Sequence, residues 1–230
     1  PSWSDGPAWP VVQPAAPVKI TGTRKPTATT TANGVVVILP DMQIGFYRHP
    51  DGQLEPTHDP AAIDQALALV RLLRPDRVIL LGDNMDLPEF GKYRLGPAFA
   101  QTTQATVNET AALMARLRDA AGLDAQIDWL AGNHEERLQH WLTDNARAAF
   151  GLRQGCTPEG WPVMSVPHLC RLDDVHVTYL PGYPASDIWL TDNLRVIHGD
   201  LVKSNGSTAH KYLAESKVSV IYWHIHRIER

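Results

Sequence analysis

Arg77-Val78-Ile79-Leu80-Leu81-Gly82-Asp83-Asn84-Met85-Asp86 sets an unbroken aliphatic run against a glycine and a pair of carboxylates. The run predicts a strand buried on both faces, the pattern of a parallel sheet covered by other layers. The polar residues fall where that strand ends. Open α/β sheets gather their ligands just beyond the carboxyl ends of their strands. Working outward, the same pattern recurs. The run at 35–39 leads into Pro40-Asp41-Met42-Gln43, and 126–130 leads into Ala131-Gly132-Asn133-His134-Glu135. The run at 194–197 leads into His198-Gly199-Asp200, and 217–222 into Trp223-His224-Ile225-His226. Each piece alone has a plain reading as a turn, a helix cap or a packed pair. Their joint occurrence at strand ends points instead to one site of oxygen and imidazole donors, a mixture suited to divalent Mn, Fe or Zn.

The intervening segments read as helices. Asp59 is placed to cap and Pro60 to open a helix whose Ile63, Leu67, Val70 and Leu73 recur at helical spacing up to Arg74. Further helices are expected over 104–121, 135–150 and 207–215, with another strand at 175–180. Strand-helix alternation in the first half argues for parallel α/β structure. Residues 1–33 are rich in proline and threonine and read as a linker or surface-draped tail, Trp3 and Trp9 being able to dock. Residues 34–230 read as the catalytic domain.

The 230 residues carry a formal net charge of -4. That balance gives no footprint for non-specific nucleic-acid binding, although nucleic acid stays open as a substrate held by metals. Cys156 and Cys170 read as reduced thiols rather than a disulfide framework. There is no apolar run of the ~20 residues that span a bilayer, so no membrane partner is expected. With no leader-like pattern visible, a cytoplasmic setting is the default.

In this order, Asp41-x-Gln43, Gly82-Asp83-x-x-Asp86, Gly132-Asn133-His134-Glu135, His198-Gly199-Asp200 and Trp223-His224-x-His226 resemble the motifs of the calcineurin-like metallophosphoesterases. The family pattern is Asp-x-His, Gly-Asp-x-x, Gly-Asn-His-Asp/Glu, a His before Gly, and Gly-His-x-His. The resemblance covers residues 35–227, and the stretch at 198–213 resembles phage-encoded members. It implies an α/β (α+β) fold of two mixed sheets packed as a sandwich between helices, four layers in αββα order. It also implies two divalent metal ions, Mn²⁺ foremost, with Fe, Zn, Ni, Co or Mg as alternatives. Asp41 and His226 would ligate the first metal, with Gln43 where the family has histidine. Asn133, His198 and His224 would ligate the second, and Asp83 would bridge. His134, beside Asn133, would face the substrate as the protonating or charge-stabilising group. Because the chain stops four residues after His226, final strands of the family pattern would be missing.

Asp86 and Asp200 are candidates to orient a ligand imidazole through its other N–H, against a plain turn or cap role. Arg48, Lys92 and Arg94 read as solvated surface before substrate contacts. Gln43 offers a neutral amide oxygen, so a looser first site is expected. Trp223 stands where the family has a glycine for close backbone approach, and its indole must point outward or reshape the pocket. Water bridging two ions has its pKa lowered to ~7, so the expected activity is hydrolysis of phosphomonoesters or phosphodiesters. A nuclease is an alternative within that chemistry. A non-catalytic scaffold for protein binding is an alternative outside it.

Overall fold

The computed structural model describes residues 12–18, 34–157, 160–203 and 207–226. In chain order its strands are β1 (Val36–Leu39), β2 (Phe46–Arg48), β3 (Leu54–Pro56), β4 (Arg77–Leu80), β5 (Gln126–Leu130), β6 (Val177–Leu180), β7 (Ile188–Thr191), β8 (Leu194–Val196) and β9 (Ser219–Ile221). The helices are α1 (Pro60–Leu73), α2 (Thr103–Ala121), α3 (Asn133–Asn145), α4 (Val166–Leu169) and α5 (Thr208–Glu215).

Strands β1-β4-β5-β6 form a sheet in which every pairing is parallel. Because strand side chains alternate between faces, the aliphatic runs serve two cores at once. Val37, Leu39, Val78, Leu80, Ile127, Trp129 and Val177 pack with Leu67 and Val70 of α1, Leu113 and Leu117 of α2 and Leu138 of α3. The alternate residues Val36, Ile38, Ile79, Leu130 and Leu180 pack with Ile188, Leu190, Val196 and Ile221 of a second sheet. That sheet, β7-β8-β9, is mixed: β7 pairs antiparallel with β8, and β8 parallel with β9. The fold is therefore a mixed α/β arrangement with a parallel sheet, other sheets and helices.

Local chemistry sets the helix ends. Asp59 Oδ1 accepts from the N–H groups of Ala61 and Ala62, and Arg74 ends α1 with a left-handed φ of 45°. Helix α3 begins earlier than its periodicity predicts, at Asn133, so Asn133 and His134 form its first turn. It also ends sooner, at Asn145, and a 3₁₀ turn at Arg147–Ala149 takes the remainder. The predicted strand at 175–180 starts only at Val177, because Leu172–Val175 is a 3₁₀ turn and His176 has a left-handed φ of 54°. Most of the predicted tail, Trp3 and Trp9 included, lies outside the described residues. Residues 12–18 meet α2, where Asn108 accepts from Ala15 N–H and donates to the Gln13 carbonyl.

The start of α2 depends on a carboxylate distant from it in sequence. Glu89 accepts hydrogen bonds from Gln101, Thr102 and Thr103 N–H and from Thr103 Oγ1 at 2.6–2.9 Å. Burial raises its pKa, but the Thr103 hydroxyl and the three backbone donors outweigh burial and hold it below the ordinary 4.5. A depressed folded-state pKa contributes stability that is complete above the unfolded value and is lost as pH falls through the folded one. Glu89→Gln is therefore expected to cost ~1 kcal/mol at neutral pH, the size of a helix cap. The gap to wild type should close as pH falls below the ordinary 4.5 and through the lowered folded value, as read by urea denaturation across pH.

Candidate metal centre

The strand-end loops continue the parallel ladders past the strands and so arrive together. Asp41 N–H donates to the Gly82 carbonyl at 3.1 Å and Gln43 N–H to the Asp83 carbonyl at 2.9 Å. In the second sheet, Trp223 N–H donates to the His198 carbonyl at 3.0 Å. The two sets meet where His198 Nδ1 donates to the Leu81 carbonyl at 2.6 Å. That bond leaves His198 Nε2 facing two oxygens, Asp83 Oδ2 and Asn133 Oδ1, each at 3.3 Å. The His224 ring lies 5.1 Å from the His198 ring, centroid to centroid. Asp83, His198 and His224 bring one ligand atom each to within 4.8 Å of one another, a span one divalent ion can bridge.

The donors fit a cation better than they fit each other. Asp41 has a nearly buried carboxylate, yet among the described residues neither of its oxygens has a hydrogen-bond partner, and neither does His224 Nδ1. Burial pushes the Asp41 pKa up to about 7, with the charge of Asp83 adding to the rise. For His198, burial opposes the charged ring, but the hydrogen bond and charge of Asp83 outweigh it and its pKa rises. Burial of His224 and the nearby His198 lower the His224 pKa, favouring the neutral ring that a metal requires.

Asp41, Gln43 and His226, the residues expected at a first metal, are gathered more loosely. Asp41 Oδ2 lies 3.6 Å from His226 Nε2, and Gln43 Nε2 lies 3.3 Å from the same nitrogen. The His226 side chain is half exposed. Asp41, Gln43, Asp83, His224 and His226 all have φ between 35° and 71°. Left-handed backbone at a non-glycine residue is uncommon and costs on the order of 1–3 kcal/mol each. Such strain is held only where surrounding structure dictates it, and here it turns successive donors inward. Gly82, at φ 81°, is needed for a second reason: a Cβ there would stand 2.5 Å from His198 Nδ1 and 2.8 Å from the Gly132 backbone.

Glu135, which the sequence shows only as the end of a motif, is the clamp on these loops. Its Oε2 accepts from Asp83 and Gly132 N–H at 2.9 and 2.8 Å, and its Oε1 from Asn84 and Met85 N–H at 2.8 and 3.2 Å. Burial and the charge of Asp83 raise its pKa, and the backbone donors pull it back.

His134 lies on the flank of the centre, its backbone N–H donating to Asp83 Oδ1 at 2.9 Å and its Nε2 3.7 Å from Asp83 Oδ2. Arg137, which nothing in the sequence singles out, brings its guanidinium to 2.7 Å from His134 Nε2. A guanidinium only donates, so Nε2 accepts and Nδ1 carries the proton. Nδ1 donates to the Asp86 carbonyl at 3.0 Å, with Asp86 Oδ1 at 3.1 Å. Asp86 thus orients His134, which is not among the predicted ligands. Asp200 does not orient an imidazole: its contacts are with the Tyr212 hydroxyl, and Leu81 holds His198 in its place. Trp223 is 47% exposed, so its indole is directed outward. No family model matches the chain, and no curated protein matches it.

Proposed function

We propose that this chain is a metal-dependent phosphoesterase of the calcineurin-like type. Its two sheets and their helices would form that family's αββα sandwich, and its strand-end residues would hold two divalent cations, Mn²⁺ foremost. The observation that carries this reading is the convergence of Asp83, His198 and His224, with Asn133 and the Asp41 carboxylate, which accepts no hydrogen bond among the described residues, beside them. Asn133, His198 and His224 would hold one ion and Asp41, Gln43 and His226 the other, with Asp83 between them. When bound, two such ions polarise phosphoryl oxygens and lower the pKa of water. Two carboxylates against two dications leave a positive surplus that draws a phosphate group in. His134, fixed by Asp86, lies on the flank where a leaving group would depart.

One feature favours a nucleotide or nucleic-acid ester. A cavity of about 570 Å³ runs from Asn133 and His224 to a wall containing Phe90, Tyr93 and Trp141. Bases stack on such aromatic faces.

The test is turnover of 4-nitrophenyl phosphate, bis(4-nitrophenyl) phosphate and a single-stranded oligonucleotide, after chelation and Mn²⁺ restoration. Chelator-sensitive hydrolysis is expected, with His134→Ala lowering kcat by ~10-fold or more as the flank beside Asp83 loses its fixed geometry. An inert wild-type protein, or activity indifferent to chelator, would refute the reading.

A further inference from the structure

We propose that Arg137 is a catalytic residue, contacting the leaving oxygen of the ester and neutralising the charge that develops there. This rests on the phosphoesterase reading of the same site. Arg137 lies one helical turn beyond Asn133, on the face of α3 that lines the cavity with Asn133 and His224. One guanidinium nitrogen is anchored by the Asp86 carbonyl at 2.6 Å and by Asp86 Oδ1 at 3.3 Å. The other is held at His134 Nε2. The Arg137 side chain is 27% exposed, enough to reach a ligand while remaining fixed by three contacts. Glu136 and Asp144 also line the cavity and match the charge of Arg137 and the exposed Lys92.

The hydrogen-bond directions give the roles. The His134 Nδ1 proton is committed to Asp86, and its Nε2 lone pair receives a proton bond from Arg137. Of this pair the positive group is therefore the guanidinium, with His134 as its positioning partner. In hydrolysis a water oxygen bonds to phosphorus, the ester P–O bond breaks, and its electron pair stays on the leaving oxygen. The guanidinium keeps its own protons, since arginine is not deprotonated in proteins. It stabilises the departing anion, which takes from solvent the proton the attacking water releases.

A fixed donor at a developing anion matters most when that anion is least stable. Arg137→Ala and Arg137→Lys would be compared with wild type on 4-nitrophenyl phosphate and on phenyl phosphate, a poorer leaving group. Mn²⁺ affinity by calorimetry and the melting temperature would be read alongside. For Arg137→Ala, kcat on phenyl phosphate is expected to fall ~10²-fold or more, and on 4-nitrophenyl phosphate by ~10-fold. Mn²⁺ affinity should stay within ~3-fold, since neither metal set includes Arg137, and lysine should recover part of the loss as a point charge. Equal losses on both esters, or a matching loss of Mn²⁺ affinity, would overturn the role of Arg137 and leave the phosphoesterase reading standing. Wild-type protein inert toward both esters would overturn the phosphoesterase reading, and this role with it.

Discussion

Glu135→Gln is expected to destabilise the metal-free protein by ~2–4 kcal/mol, and Glu135→Ala by ~4–5 kcal/mol. The carboxylate is 1% exposed and is the acceptor for four backbone N–H groups, two on each oxygen. Glutamine keeps the shape but puts an NH₂ where one oxygen was. Whichever way the amide turns, it faces either the Asp83 and Gly132 donors or the Asn84 and Met85 donors. Donors set against donors in a dry site lose their hydrogen bonds and keep the desolvation cost. Alanine leaves all four unsatisfied. Against a total stability of order 5–15 kcal/mol, either loss is large, and it falls on the loop that carries Asp83. Urea denaturation with chelator present separates it from metal binding. A glutamine variant within ~1 kcal/mol of wild type would mean that Glu135 carries a proton, since an amide would then be a near-silent replacement.

That clamp also shows where sequence reading stops. The aliphatic runs announced β1, β4 and β5, because residues packed on both faces leave an unbroken apolar signature, while β6, β8 and β9 showed as shorter or interrupted apolar stretches. The donors after them were legible for the same reason: polar residues at the end of a buried run need an explanation. Strands β2, β3 and β7 stand alone in loop sequence with no motif at their ends, and a stretch such as Leu54-Glu55-Pro56 holds no period to read. Glu89 and Arg137 were illegible because a lone charge on a short turn or a helix face resembles solvated surface. Only the fold brings Glu89 to the start of α2, or Arg137 to His134. Gln43 lies beside the half-exposed His226, a contact between residues 183 apart in sequence that no local pattern announces. Asp200 shows the opposite failure. Its place after a candidate ligand suggested a partner for an imidazole, but a backbone carbonyl, invisible in sequence, does that work.

Asp83→Asn is expected to abolish metal binding and leave the metal-free fold intact. Asparagine tolerates the left-handed φ of 51° at this position as well as aspartate does. Its carbonyl can still accept the His134 N–H now bound by Oδ1, and its NH₂ can donate to a neutral His198 Nε2 in place of the present ion pair. The Leu81 carbonyl continues to hold His198 Nδ1–H. Nothing in the shell is orphaned, so the metal-free melting temperature should change by no more than ~2–4 °C, the effect of about 1 kcal/mol in a chain of this size. The loss appears when metal is added. The charge removed is the one that would lie between the two cations, and the NH₂ installed there repels both. Wild-type protein saturated with Mn²⁺ at a hundredfold excess over Kd should gain ~2.7 kcal/mol of stability, whereas Asp83→Asn should gain almost none. Hydrolysis should fall to background in the same variant. An Mn²⁺-induced rise in melting temperature equal to that of wild type would place the cations elsewhere and remove Asp83 from the centre of the site.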